Sequence, residues 1–359
     1  MPTTKFTNLD FDQIKTSIKD YLRANSDFSG FDFEGSNFSV LLDTLAYNTY
    51  ITAFNSNMIV NESFLDSATL RENVVSLARN IGYVPRSRSA AKAEVSFKLN
   101  LGTSKPAEIV ELTKGIVCVG NVNDSSFTFS ISENIAQQVI LEGNDYIANF
   151  ENITVNQGTY LTKQFKFDNS LDQKFILDNS FIDTSTIHVY VKKEGETGLG
   201  YEYFISDDIT NIDSTSRVFF LQEVQDEKYE IRFGDGLLGK KLGSGVGKDG
   251  TIITVDYITS DGVDGNGASA FSFSGSLINP NTDASIDISS TPSVTTITSS
   301  QGGSEIEPID SIKYYSPKIY SSQNRAVTPR DYEAIIKKIF PETESVAVIG
   351  GEELDPPEF

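Results

Sequence analysis

Tyr229 to Gly239 reads YEIRFGDGLLG, and this stretch decides how the rest of the chain is read. Gly234, Gly236 and Gly239 form a G-x-G-x-x-G pattern directly after a strand-like YEIRF, and Asp256 follows twenty residues after Gly236. That is the order of a dinucleotide turn, in which glycines admit the pyrophosphate, a helix N-terminus holds it and a later acid takes the ribose. The reading requires a helix after the turn. Here the next residues are KKLGSGVGKDG, with Gly243, Gly245, Gly247 and Gly250. At about 1 kcal/mol per interior glycine relative to alanine, about 4 kcal/mol opposes that helix. The spacing of Leu238, Leu242 and Val246 does not offset it. The glycines read instead as turns between paired strands, where the backbone needs positive φ.

Working outward, the period of two persists. From about 93 to 303, VSFKL, FTFSI, TIHVYV, YEYFI, RVFFL, YEIRF, TIITVDYI and AFSFSG are separated by Gly, Asn, Asp and Ser clusters. Strands without regular intervening helices predict one or two antiparallel β-domains rather than a doubly wound sheet. Val95, Phe97 and Leu99 form one face of the first strand. SDGVDGNG, residues 260–267, offers Asp261, Asp264 and Asn266 but lacks the alternating spacing and closing glutamate of a calcium loop, so it reads as turn chemistry. The carboxylate pairs Asp207-Asp208 and Glu352-Glu353 stand at turns and exposed ends, where nothing desolvates them for acid/base work.

Residues 1–84 read as a helical domain. Asn8 or Asp10 caps a first helix to about Ala24. Ser36 or Asn37 caps a long second one, whose apolar residues wrap most of its circumference. Thr69 and Glu72 suggest a capping box for a third helix, with Leu70, Val74, Leu77 and Ile81 on one face, Gly82 as its stop and Pro85 beyond. A helix as apolar as the second wants neighbours on several sides, supplied either within the chain or by another chain. Residues 85–92, PRSRSAAK, read as a solvated linker carrying Arg86, Arg88 and Lys92. After residue 303 the helical period returns over 304–345. Pro308 opens one helix and Thr328-Pro329-Arg330-Asp331 another, with Tyr332, Ile335, Ile336 and Ile339 as a stripe ended by Pro341. A strand-like SVAVIGG then opens the last region, 346–359, which reads as the start of a longer one. The expected fold class is α+β and multidomain: helical N-terminal domain, antiparallel β-rich middle, small mixed C-terminal part.

Composition removes several functions. With 29 basic and 50 acidic residues among 359 the net charge is −21, which argues against nucleic acid and anionic membranes as partners. The single cysteine, Cys118, and single histidine, His188, both lie in strand-like runs. No internal disulfide and no zinc site of the His/Cys type can be built from them, and His188 has no nucleophile elbow beside it. No apolar run approaches the about 18 residues of a membrane span, and no signal peptide opens the chain, so a cytoplasmic site of synthesis is expected.

YEIRFGDGLLGKKLGSG, TIITVDYITSDGVDGNG, GGSEIEPIDSIKYYSP and NRAVTPRDYEAII together resemble the baseplate J-like family of contractile phage tails, within it the wedge subunits of T-even-type phages. The N-terminal FDFEGSNFSVLLDTLAYNTYITAFNSNMIVNESFLDSATLRENVVSLARNIGYVPRSRSAAKA extends the resemblance, which runs from about residue 9 to about 350. The matching turn residues are Gly234, Asp235, Gly236, Gly239, Gly262, Gly265, Asn266 and Gly267. Those of the helical motif are Arg325, Thr328, Asp331 and Tyr332. The resemblance implies a structural protein of the virion tail baseplate, assembled in the bacterial host cytoplasm, with no catalytic, cofactor or metal residue. The implied partners are a second copy of the chain, an elongated scaffold subunit, a sheath-proximal subunit and the tail hub. The ring so formed would rearrange when contraction is triggered. Phe38, Leu41, Leu42, Leu45, Tyr50 and Phe54 become the candidate assembly helix. Family members run further towards the C-terminus, where part of their dimer contact lies. A reading from a different class, a carbohydrate- or host-surface-binding β-protein with a helical anchor, requires exposed aromatics over a concave face.

Overall fold

The computed structural model describes residues 10–353 except 25–27, 29, 34, 169–172, 207–211, 244–249, 324, 341, 342 and 344. Asn8, Asp207-Asp208, Pro341, the middle of the glycine-rich run after Leu242 and the terminal LDPPEF lie outside the described residues. Two compact units divide the chain: residues 1–84, 308–335 and 348–359 form one, and 85–307 with 336–347 the other.

The first unit is helical. Helix α1 (Phe11–Arg23) is capped by Asp10, whose carboxylate accepts the Gln13 N–H at 3.0 Å. Helix α2 (Phe38–Glu62) runs 25 residues, and Lys15 of α1 pairs with its Asp43 at 2.5 Å. Phe28, Phe31, Phe33 and Phe38 pack with ring centroids 5.1 to 6.3 Å apart, and the fully buried Phe33 fixes the entry to α2.

Helix α3 (Arg71–Asn80) corrects two expectations. Leu70, not Thr69, is the N-cap, and no side chain of the expected capping box bonds there. The cap comes from α2: Glu62 accepts the backbone N–H of Thr69 and Leu70, the Thr69 hydroxyl and the Asn73 amide at 2.6 to 3.3 Å. A carboxylate fixed by the previous helix outcompetes the local hydroxyl because one anion satisfies several orphan donors at the positive helix end. Burial raises the Glu62 pKa, but these hydrogen bonds prevail and hold it down to about 2. The packed face of α3 is Val74, Val75 and Ala78, closed by Ile312 of α4 (Ile309–Ser322); Leu70 is exposed. At its end, Gly82 donates to Arg79 and Tyr83 to Ala78, the paired bonds of a Schellman stop. The C-terminal helical residues thus belong with the N-terminal helices. The run Ser345–Gly350 forms no strand, because no edge among the described residues pairs with it.

The second unit is β-rich. Its strands begin with β1 (Lys92–Asn100), β2 (Ile109–Leu112), β3 (Gly115–Val122), β4 (Ser125–Ile131), β5 (Ile135–Glu142) and β6 (Asp145–Gln157). There follow β7 (Thr159–Phe167), β8 (Phe175–Leu177), β9 (Ile182–Lys193), β10 (Tyr201–Ile205), β11 (Val218–Glu223), β12 (Tyr229–Phe233) and β13 (Thr251–Thr259). The last four are β14 (Ala270–Phe273), β15 (Leu277–Ile278), β16 (Ser285–Ile286) and β17 (Ser293–Gln301). β1 to β6 and β14 to β17 make a ten-stranded sheet, and β7 to β13 a seven-stranded one in the order β7-β13-β9-β10-β11-β12-β8. The second sheet is therefore an insertion, entered after β6 and left after β13. Among the described residues every strand pairs antiparallel with its neighbours except β10 with β11, and the isolated bridge Gly234–Lys241 is also parallel. Each sheet has its own core. One gathers Val95, Phe97, Leu99, Phe129 and Phe150; the other gathers Leu177, Val189, Phe219, Ile231, Ile253 and Val255.

Candidate assembly helix and domain joint

α2 contains two charged residues, Asp43 and Glu62, and both are engaged within the helical unit. Its remaining surface is neutral. Of the candidate residues, Leu42 is fully buried, Phe38 belongs to the phenylalanine cluster and Tyr50 is half-buried. Leu41, Leu45 and Phe54 are about half exposed, and Val40, Tyr47, Met58 and Ile59 are exposed beside them. Five serine and threonine hydroxyls on this surface do not depend on water. Those of Thr44, Thr49, Thr52, Ser56 and Ser63 each donate to the carbonyl four residues earlier at 2.7 to 2.9 Å. Such back-bonding satisfies a polar group inside its own helix, so covering the face desolvates little.

The turn residues singled out in the sequence fall in two places. Gly262, Gly265, Asn266 and Gly267 lie at the joint where the inserted sheet meets the first. The Gln157 side chain donates to Asp261 at 2.7 Å and accepts from the Ser260 hydroxyl and the Asp261 N–H, tying the incoming strand to the outgoing one. The Asn266 amide bonds Gly303 in both directions, and Ser300 accepts from Ala268 and donates to Gly265. Gly158, at φ +130°, has no room for a side chain: a Cβ would stand 2.1 Å from the Thr259 carbonyl oxygen. Gln157 carried no local signal, because its partners are more than a hundred residues away.

Residues 85–92 are part of this joint and not a solvated linker. Pro85, Ser87, Ala90 and Ala91 are buried, the Ala90 N–H donates to Asp183 at 2.8 Å, and Ser87 shares a hydrogen bond with Thr184. Arg88 pairs with Glu305 at 2.5 Å and lies 4.4 Å from the centroid of the Phe181 ring. Asp256, the would-be ribose acid, is 1% exposed and already spent: Lys114 meets it at 2.6 Å and Thr162 donates to it at 2.6 Å.

Gly234, Asp235, Gly236 and Gly239 form a tight loop with no helix after it among the described residues. The Asp235 carboxylate accepts the N–H groups of Leu237 and Leu238 at 2.8 and 2.9 Å, and these bonds lower its pKa. A bound phosphate would need such N–H groups, and here an anion of the chain holds them. A Cβ on Gly234 would meet the Gly239 carbonyl carbon at 2.2 Å, which explains the glycine without a ligand. In the helical motif, Thr328 and Asp331 cap α5 (Pro329–Ile339) reciprocally: Asp331 accepts the Thr328 N–H at 2.8 Å, and the Thr328 hydroxyl accepts the Asp331 N–H at 3.4 Å. The Asp331 pKa is lowered by these bonds. Arg325 bonds Gln323, and Tyr332 is exposed. The motif residues are distributed over separate caps and turns, not convergent on one cleft.

Cys118 is buried in β3, where desolvation pushes its thiol up to about 12. Tyr201, an exposed aromatic of the β-unit, is covered by the Arg217 guanidinium 3.9 Å from its ring centroid, so that face is not open to a sugar. No helix among the described residues is long and apolar enough to cross a membrane.

Comparison with known proteins agrees with this division. Residues 10–83 match the family model for the helical domain of gp6-like baseplate wedge proteins. Residues 160–260, the inserted seven-stranded sheet with its flanks, match that for the third domain of the bacteriophage baseplate wedge protein gp6. The chain is 28% identical over 345 residues to the baseplate wedge protein gp6 of Enterobacteria phage T4, covering 92% of this chain and 50% of that protein. It thus spans about half the length of the curated relative it matches. Among solved structures, one chain of the sixfold-symmetrised baseplate of the anti-feeding prophage aligns with 96% of this chain and 67% of its own length. That alignment has 11% identity and a TM-score of 0.33. In residues 10–83 and 160–260, its helical segment and its inserted sheet, this chain is therefore similar to the helical and third domains of the gp6-like baseplate wedge proteins.

Proposed function

We propose that the chain is a structural subunit of a contractile-tail baseplate wedge, with α2 as the element that joins it to a second copy of itself and to other wedge subunits. The observation that carries the reading is the α2 surface: neutral, 25 residues long, rich in exposed apolar side chains and with five serine and threonine hydroxyls bonded within the helix. A solvated helix has no use for that chemistry, whereas a helix laid along other helices does. The elongated scaffold subunit, the sheath-proximal subunit and the tail hub are the further partners, within a virion tail assembled in the host cytoplasm. The role requires no catalytic residue. The work of contraction would come from subunit contacts that differ between the resting and triggered baseplate.

The test is sedimentation of the full chain, alone and with co-expressed wedge subunits, against a variant carrying Leu41→Asp, Leu45→Asp and Phe54→Asp. The expected outcome is self-association or co-sedimentation of the unmodified chain and a monomer of unchanged circular dichroism for the variant. Equal association of both would overturn the assignment of α2.

A further inference from the structure

We propose that Glu133, His188 and Glu202 form a site for one transition-metal ion of the zinc type, which clasps the inserted sheet to the first one. The three residues come from both sheets. Glu133 lies in the turn between β4 and β5, His188 on β9 and Glu202 on β10. The pairing register puts the last two on one face: Glu202 stands opposite Tyr190, which points to the same side as His188 two residues earlier. His188 Nδ1 lies 3.2 Å from a Glu202 oxygen and 3.9 Å from a Glu133 oxygen, and one ligand atom from each residue lies within 4.8 Å of the others.

Those separations suit a small ion. Zinc bonds of about 2.0–2.2 Å in tetrahedral geometry place ligand atoms about 3.3–3.5 Å apart, so closure needs only a slight inward turn of Glu133. Glu133 is also the most exposed of the three, at 67% against 24% for His188 and 35% for Glu202, and can make that turn. The solvent side leaves the fourth position to water. Calcium and magnesium would want six or more oxygens, and an imidazole selects against them.

The local charge favours a cation. Among the described residues no lysine or arginine forms an ion pair with Glu133 or Glu202. Lys114, the nearby ammonium, is committed to Asp256, which stands directly across from His188 in the sheet. Two carboxylates therefore converge on one imidazole. The turn that carries Glu133 is also fixed, since the Asn134 side chain accepts the Lys114 N–H at 2.7 Å.

The test uses the full chain, cleared with a chelator and titrated with zinc chloride by calorimetry and by thermal melting. One equivalent of zinc should bind and raise the melting temperature, magnesium should do neither, and X-ray absorption should report one nitrogen with oxygens and no sulfur. His188→Gln and Glu202→Gln should lose the saturable equivalent. Glu133→Gln, on an exposed turn that tolerates the change, should lose or weaken it without altering the zinc-free melt. Glu142→Gln, a surface carboxylate elsewhere, should change nothing. Absence of a saturable equivalent in the unmodified chain overturns the site, as does zinc binding unchanged by Glu133→Gln. In either of those cases the three residues are an ion pair and no more.

Discussion

Helix α2 and the joint around Gln157 look alike in sequence, each a mixture of small polar and apolar residues, yet the fold finishes one and leaves the other open. At the joint, Gln157, Asn266 and Ser300 meet donors and acceptors from residues far along the chain. On α2 the hydroxyls turn back on their own helix, and Leu41, Leu45 and Phe54 stay exposed. The difference teaches that polar residues in this protein serve two ends. Satisfied across the chain they specify a tertiary contact; satisfied within one helix they leave a surface ready for another molecule.

Four measurements break or sharpen that contrast. The largest effect is expected from Lys114→Ala, which strips the cation from Asp256. Breaking a buried pair from one side costs about 3–5 kcal/mol, so chemical denaturation of the β-unit should shift by that order. A loss below about 1 kcal/mol would mean that Thr162 and water suffice for the carboxylate, and the joint is less closed than drawn. Gly158→Ala follows, at about 2–3 kcal/mol, because the positive φ and the Thr259 carbonyl both oppose a side chain.

The cap of α3 is smaller. Glu62→Gln should cost about 1 kcal/mol at neutral pH, the scale of a lost helix cap. Folding lowers the Glu62 pKa from 4.5 to about 2, so its contribution is complete above 4.5 and disappears as the pH falls towards 2. The melting difference between the two proteins should vanish over that window; a difference constant from pH 6 to pH 2 would sink the assignment. Smallest in stability is Leu45→Asp with Phe54→Asp. On an exposed, unpartnered face the pair should change the unfolding free energy by no more than about 0.5 kcal/mol per site while removing association in sedimentation. A large destabilisation instead would place those side chains inside the chain's own core.

Much of the fold was legible. Alternation in VSFKL, TIHVYV and TIITVDYI marked strands that the structure contains, and the glycines after Leu238 argued against a helix there, with none over the described residues to Gly243. The N-cap Asp10 and the stop at Gly82 were also readable, since each bonds within a few residues. Of the candidate site, the apolar wrap of α2 was visible as periodicity. Which of its residues face outward was not, because burial of Leu42 and exposure of Leu45 depend on what packs beside them. The strand expected over Ser345–Gly351 failed for a related reason: alternation states a preference, and an edge must be present to receive it.

By itself, then, the sequence determined what is local: the period of each segment, the caps and stops within a turn of their partners, and the positions where only glycine fits. The tertiary structure alone decided the rest. It set Glu62 on the end of α3 in place of Thr69, gave Asp256 to Lys114 and Thr162, drew residues 85–92 into the joint and separated residues 159–259 as an inserted sheet. The physical reason is common to all four. Each is a hydrogen bond or charge pair whose partner lies elsewhere in the chain, and no local propensity records which distant group will arrive to satisfy it.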